Sequence, residues 1–397
     1  MCLKKLVSLV TFKKKETAPP LKVVAWENDR LNYKQFSGKF NTIIKTIDQS
    51  FTIISLEGYD GWGKTFFLKK WVKELKQQNE IAAYYNAWDI NALDQPLPSF
   101  LNFLFEDLFA SYEVKRSVIQ QFKNINQELF SLNTLGKLIS KSPLAMLSVL
   151  LDATKEADRK DIGSVLRELN TLQRREENIK DFKTQLAKVV NRIRKDKNIY
   201  IMVDNLDVCR PKFVVDFLES IKYMLDVEGL VFIISVSRDK SNVQRAISTI
   251  LGPNFSLKSF TDLALHLPKQ SIGQFTRKLF QDVELPKKSK SLIIDSFMFY
   301  AESFSLSLKA IQYCVKKIKL CYVKEELLDP NLFTFLVILQ SVNADLYEEL
   351  YSSHEKALEK IESLNSQKEW EKLKISLEAT FKKKDSESIK QIKNILF

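Results

Sequence analysis

FTIISLEGYDGWGKT, residues Phe51–Thr65, decides how the rest of the chain is read. Its first six residues form a short apolar run containing β-branched side chains, which predicts a buried strand over Phe51–Leu56. Three of the chain's 9 glycines follow at positions 58, 61 and 63. A helical pattern then begins at Thr65 and runs to about Gln78. Gly58-Tyr59-Asp60-Gly61-Trp62-Gly63-Lys64-Thr65 satisfies G-x-x-x-x-G-K-[ST] in the strand–loop–helix setting that this pattern requires. Glycines let successive backbone N–H groups converge on one anion, and the helix that follows adds its positive end. Lys64 reaches the outer phosphates, the Thr65 hydroxyl offers an oxygen to Mg²⁺, and the loop amides, with Phe66 beyond them, complete the expected phosphate cradle. Asp60 must point outward to avoid repelling phosphate, and Trp62 either shields the phosphates or packs toward a base.

A nucleotide site of this kind needs an acid at the end of a neighbouring apolar strand. Ile199–Val203 supplies the strand and Asp204 the acid, which completes with Thr65 the expected shell of the metal. Further apolar runs at Ile81–Tyr85, Leu230–Val236 and Leu263–Leu267 predict three more strands, with a helix ahead of the first strand at Leu31–Ile47, capped by Asp29, and another at Phe213–Leu225. Strands that alternate with helices predict an α/β fold: a P-loop NTPase parallel sheet flanked by helices, with an inserted helical subdomain and a C-terminal helical domain. The expected divisions are a basic arm and linker over 1–24, a first part of the sheet domain over 25–98, a helical insertion over 99–197, a second part over 198–270, and a helical domain over 271–397.

Composition narrows the function classes. The 397 residues carry 61 Lys+Arg against 49 Asp+Glu, a net charge of +12 that favours acidic partners without naming one. The 4 cysteines, Cys2, Cys209, Cys314 and Cys321, contain no C-x-x-C pair, and His266 and His354 are the only histidines. That pattern supports neither a structural zinc site, a disulfide framework nor a Ser-His or Cys-His hydrolase, and it fits a reducing cytoplasm. The apolar run Leu6–Phe12 is too short to cross a bilayer; it reads as a packing helix or frayed arm, with a weak interfacial anchor as the alternative. Pro143–Leu151 is likewise too short, so no integral membrane segment is expected. The lysine runs Lys13–Lys15 and Lys382–Lys384 suit phosphate-backbone contact but read first as solvated.

Several stretches together resemble the KAP family of P-loop NTPases. Ile201–Cys209, IMVDNLDVC, is similar to its Asp-Asp-Leu-Asp-Arg-Cys signature, and Asn86-Ala87-Trp88 to the Asn-Ala-Trp after its second strand. Leu257–Pro268, Ser307–Ile311 and Asp29-Arg30-Leu31 match further segments in the expected order, over roughly residues 25 to 320. The resemblance implies an ATPase of the additional-strand type, with the strand ending at Ser237 lying between those of Lys64 and Asp204. It implies Mg²⁺ with ATP, a protein partner or homo-oligomer, and a setting in phage or plasmid exclusion, cytoplasmic or peripheral to the inner membrane. Many relatives carry transmembrane helices where this chain has its helical insertion.

The departures from the family pattern bear on catalysis. Asn205 stands where a water-activating carboxylate is expected; it can orient a water but cannot take its proton. Asp207 is then the alternative base. Val208 replaces the signature Arg, with Arg210 two residues on. Ser237 replaces an Asp, and Arg238 follows it as a candidate for the third phosphate, in cis or across subunits. Lys309 stands where an Arg would probe that phosphate, without the bidentate fork. Trp88 and Tyr84-Tyr85 are either base-stacking residues or core. The expectation is tight Mg-ATP binding with slow turnover, as in a conformational switch; the alternatives are a nucleic-acid-stimulated ATPase and a nucleotide-stabilised scaffold with weakened catalysis.

Overall fold

Alternation of apolar side chains along a few extended runs builds two cores, one on each face of a single sheet. A computed structural model describes residues 25–90, 96–104, 108, 179–239, 241–321, 327–363, 377, 381 and 387–396. The strands are β1 (Thr52–Gly58), β2 (Ile81–Asn86), β3 (Ile199–Asp204), β4 (Leu230–Ser237) and β5 (Leu263–His266). They pair in the order β2-β3-β4-β1-β5, every pairing parallel. β4 therefore lies between β1 and β3, the order that the resemblance implies. Every residue of β3 and β4 is buried, as continuous apolar runs in the middle of a covered parallel sheet should be. β5, at the edge, is short and mostly exposed.

Successive strand residues point to opposite faces. Ile54, Leu56, Met202 and Ile233 face helices α1 (Lys34–Lys45) and α2 (Lys64–Gln77), meeting Phe40, Phe67 and Trp71. Ile53, Ile201, Val203 and Ile234 face the other way, onto Phe217 and Ile221 of the helix Pro211–Met224 and onto Ile247 of the helix Asn242–Leu251. The described residues beyond 271 are helical apart from short connections, and Phe297, Tyr300, Ile311 and Leu336 among them share the first core with the sheet. One apolar core thus runs across the division expected at residue 270.

The strands run one or two residues further than their apolar stretches, ending on Gly58, Asp204 and Ser237. Gly58 pairs with Ser237 and Val203 with Ile234, so these three polar ends reach the same edge of the sheet. α1 begins at Lys34 instead of Leu31, because Asn32 takes a left-handed conformation with φ 54°. Asp29 is not the residue before the helix, yet its carboxylate accepts from the amides of Leu31 (3.1 Å) and Lys34 (3.0 Å) and holds the lead-in segment in place. Of the expected helical insertion, Pro96–Phe103 and a helix over 179–194 are described. Most of the insertion, the arm over 1–24 and Lys382–Lys384 lie outside the described residues. Among those described, no helix is long and apolar enough to cross a membrane.

Candidate functional site

The turn after β1 curls because two of its glycines occupy backbone conformations that a side chain resists: Gly61 has φ +69° and Gly63 φ +83°. Gly63 stands immediately before α2, and its carbonyl accepts from Phe67 at 2.9 Å. The first turn of α2 holds no acid, so its positive end is offered to an anion. Lys64 Nζ folds back over the loop, donating to the carbonyls of Gly58 (3.2 Å) and Tyr59 (3.3 Å). The loop is braced from beneath by the Tyr33 hydroxyl, which donates to the Trp62 carbonyl.

Two of the loop's amides are held by carboxylates. Asp60 accepts from the Gly61 amide through Oδ1 at 2.9 Å, and Asp239 Oδ1 accepts from the Asp60 amide at 3.1 Å and from the Ser237 hydroxyl at 3.1 Å. Burial pushes the Asp239 carboxyl up, but the amides of Asp60 and its own residue, the Ser237 hydroxyl and the Lys64 charge outweigh it and bring it below its ordinary value. Trp62 is buried in the first core and does not line the cleft, and Lys269 Nζ lies 5.4 Å from its ring centroid.

Asp204, at the end of β3, is buried and held from both neighbouring strands. Its Oδ1 accepts from Ser235 of β4 at 2.8 Å and its Oδ2 from the Tyr84 hydroxyl of β2 at 2.9 Å. Burial, then the charge and hydrogen bond of Asp204, raises the Tyr84 phenol well above its ordinary value, so it remains a donor. Asn205 takes a left-handed conformation at φ 61°, and its Nδ2 donates to Asn86 Oδ1 at 2.8 Å. The carboxylate of Asp207 accepts from the amide of Ser237 and from that of Val243 at 3.4 Å, pinning the turn to the end of β4 and the start of the helix Asn242–Leu251. Burial raises its carboxyl above the usual value, only partly offset by those amides and Lys64.

These residues open onto a cleft of about 430 Å³, within the range of small-molecule sites. Gly61, Gly63, Lys64, Thr65, Phe66, Asp204, Asn205 and Asp207 all line it. Of the other expected site residues, Gly58 sits behind Lys64, Trp62 is in the core, and Arg238 is exposed, its guanidinium 5.7 Å from the Tyr59 ring centroid. The fold also adds a facing wall: Arg30 and Leu31 of the lead-in segment and Leu308 and Lys309 of the helix Leu308–Cys321, all within stretches that carry the family resemblance, together with Asn28, Phe275 and Gln312, which lie outside them. Lys309 is fixed against the loop by its amide, which donates to the Gly61 carbonyl at 3.1 Å.

The alternative of base stacking by Tyr84-Tyr85 gives way to other roles. Tyr85 is buried among Phe100, Phe103 and Phe217, and Tyr84 serves Asp204. Trp88 is exposed and does not line the cleft. Ser235 carried a signal in the sequence, as a hydroxyl in an otherwise apolar run, whereas Asp239, Phe275 and Gln312 carried none.

The arrangement is a glycine-bent turn before a helix start, an ammonium group, a hydroxyl and a buried carboxylate lining one cleft, which is chemistry for holding a polyphosphate and a hard cation. Residues 33–263 match the family described as KAP family P-loop domain, more than half of the chain. A comparison with curated proteins finds no match.

Proposed function

The chain belongs to the KAP family of P-loop NTPases, and on that premise we propose that it is a slow Mg-ATP-dependent conformational switch. Nucleotide binding and the NTPase fold come with the family; ATP, the switch and the slow rate are our reading. The observation that carries it is the cleft itself, in which the phosphate turn and Asp204 face Lys309 from the carboxy-terminal helices. A ligand bridging the two walls favours the arrangement that brings them together, and its loss releases that bias.

Thr65 and Asp204 would hold Mg²⁺. They fit it: both are hard oxygen donors lining one cleft, and the Asp204 oxygens are oriented by Ser235 and Tyr84. The ion, when bound, neutralises charge on the outer phosphates. Lys64 and the loop amides bind and orient the triphosphate. Lys309 brings a positive charge to its outer end from the opposite wall. Asn205 can hold a water by its side-chain oxygen but cannot accept a proton, and Asp207 is occupied by two amides, so proton removal is weakly served. This is the basis of slow turnover. The setting we propose, exclusion of phage or plasmid, is carried by the family resemblance alone.

A steady-state phosphate-release assay tests the reading. We expect wild-type turnover well below the ~1 s⁻¹ floor of typical enzymes, abolished in Lys64→Ala. Asn205→Asp should raise it about tenfold or more, since a positioned base contributes ~10²–10⁴. A fast wild type rejects the slow switch while leaving the site intact.

A further inference from the structure

The helix Leu308–Cys321 meets the nucleotide cleft with its first turn, where the Lys309 amide donates to the Gly61 carbonyl at 3.1 Å. Beyond that turn its inner side is buried in the first core through Ile311, Cys314, Val315 and Ile318. Its outer side has no such cover: Tyr313 is 60% exposed and Leu320 75%, and Lys316 and Lys319 are exposed beside them. The helix carries four lysines, at 309, 316, 317 and 319, and no acid. Lys317 donates to Gln340 of the helix Pro330–Val342, whereas Lys316 and Lys319 make no ion pair with any described residue. Tyr313, Lys316 and Leu320 stand at i, i+3 and i+7, so a ring, an ammonium group and an aliphatic tip share one stripe, with Lys319 at its flank. At 1.5 Å per residue the stripe is about 10 Å long.

We propose that this outer face binds single-stranded nucleic acid, with the Tyr313 ring against a base and Lys316 and Lys319 against the phosphates beside it. An acid-free helix in a chain of net charge +12 calls for an anionic partner, and a polyanion adds the release of its own counterions. An aromatic ring held out in water among lysines calls for a flat face to stack on. A single strand offers both, whereas a duplex hides the faces of its bases. A lipid surface fits less well: the stripe presents two apolar side chains, against the broad apolar face that holds a helix in a bilayer interface. No guanidinium fork or acid stands in the stripe to read base edges, so binding is expected to tolerate any sequence. Neither contact needs nucleotide in the cleft, although the Lys309–Gly61 hydrogen bond joins the two places through one helix.

Fluorescence anisotropy of the full chain with labelled oligothymidylate and with oligouridylate, without nucleotide, tests this; the tighter of the two identifies the natural strand. Tyr313→Ala should weaken binding about tenfold, since loss of one stacked base corresponds to a factor of roughly 5 to 150, and Tyr313→Phe should retain it. Lys316→Ala and Lys319→Ala should each lower the slope of log affinity against log salt by ~0.7. The matching duplex should bind more weakly than the single strand and be indifferent to Tyr313→Ala. All three side chains are exposed, so their variants are expected to fold, which thermal melting checks. Binding that survives all three alanine substitutions overturns the assignment. Binding that Mg-ATP displaces and Tyr313→Ala leaves intact overturns it too, because the strand's phosphates would then occupy the cleft. No uptake of either oligonucleotide by folded protein also overturns it, and attachment to phosphatidylserine vesicles that depends on Tyr313 and Leu320 would then make the face a lipid contact. The nucleotide reading is decided separately, by phosphate release.

Discussion

The phosphate end of the cleft comes from consecutive residues, Gly58 to Thr65, and one strand end, Asp204. The opposite wall draws Asn28, Leu31, Phe275 and Gln312 from separate stretches of chain. The first wall works mainly through backbone groups, whose positions are dictated by glycine conformations and a helix start; the second works through side chains delivered by packing. A backbone site can bind the part common to all nucleoside triphosphates, and a side-chain site can discriminate among them. The two meet at Gly61, where the loop touches Ser307 and Lys309.

The sharpest way to break that division is to disturb the meeting point. Lys64→Ala acts on one wall alone, whereas Gly61→Ala strains both. Its φ of +69° costs an alanine about 1–2 kcal/mol, and the new methyl would lie 2.7 Å from both Ser307 Cβ and Oγ. We expect a melting temperature several degrees lower and nucleotide affinity reduced at least tenfold. Adding Ser307→Gly should recover part of the loss. Ser307 Oγ accepts from the Ala310 amide at 3.2 Å, and glycine in a capping position costs only a few tenths of a kcal/mol. If the second change recovers nothing, backbone strain alone accounts for the defect and the contact between the walls carries no weight.

A second, smaller test concerns Asp204. Tyr84→Phe removes one of its two hydroxyl donors and leaves Ser235. Orienting partners of a metal-binding carboxylate are typically worth ~10–100-fold in metal affinity. The Mg²⁺ concentration needed for half-maximal ATP binding should therefore rise about tenfold, with Mg²⁺-free nucleotide binding unchanged. An unaltered Mg²⁺ requirement would remove Tyr84 from the site.

The same contrast explains what was legible beforehand. Strands β1 to β4 announce themselves because a covered parallel sheet needs unbroken apolar runs, β5 only as a shorter edge run, and the loop because only glycines and a helix start can aim its amides. Asp204 follows from its place at a strand end. Asp29 misled as a conventional cap because Asn32 delays the helix, a left-handed turn that periodicity does not report. Trp62 and Tyr85 were ambiguous because an aromatic ring beside a site and one in the core look identical along the chain; Phe100 and Phe217 around Tyr85 resolve it. Gln312 was invisible, since an exposed amide on an amphipathic helix acquires meaning only from what the fold sets opposite it.

The mildest prediction addresses the loop's own anions. Asp239 holds the Asp60 amide, so its carboxylate competes with phosphate for the outer rim of the turn. Asp239→Asn keeps the shape and removes the charge. For unit charges about 6 Å apart in a water-like medium the repulsion is about 0.7 kcal/mol, so affinity for Mg-ATP should tighten roughly threefold. The sign with pH follows from the carboxyl lying below its ordinary value before nucleotide arrives. A triphosphate alongside raises it, so binding takes up a proton as pH falls through the carboxylate range. The titration of the nucleotide's own phosphate is common to both proteins and cancels in their ratio. The wild-type deficit relative to Asp239→Asn should therefore shrink toward pH 4, whereas a deficit independent of pH would mean that the side chain acts by shape and not by charge.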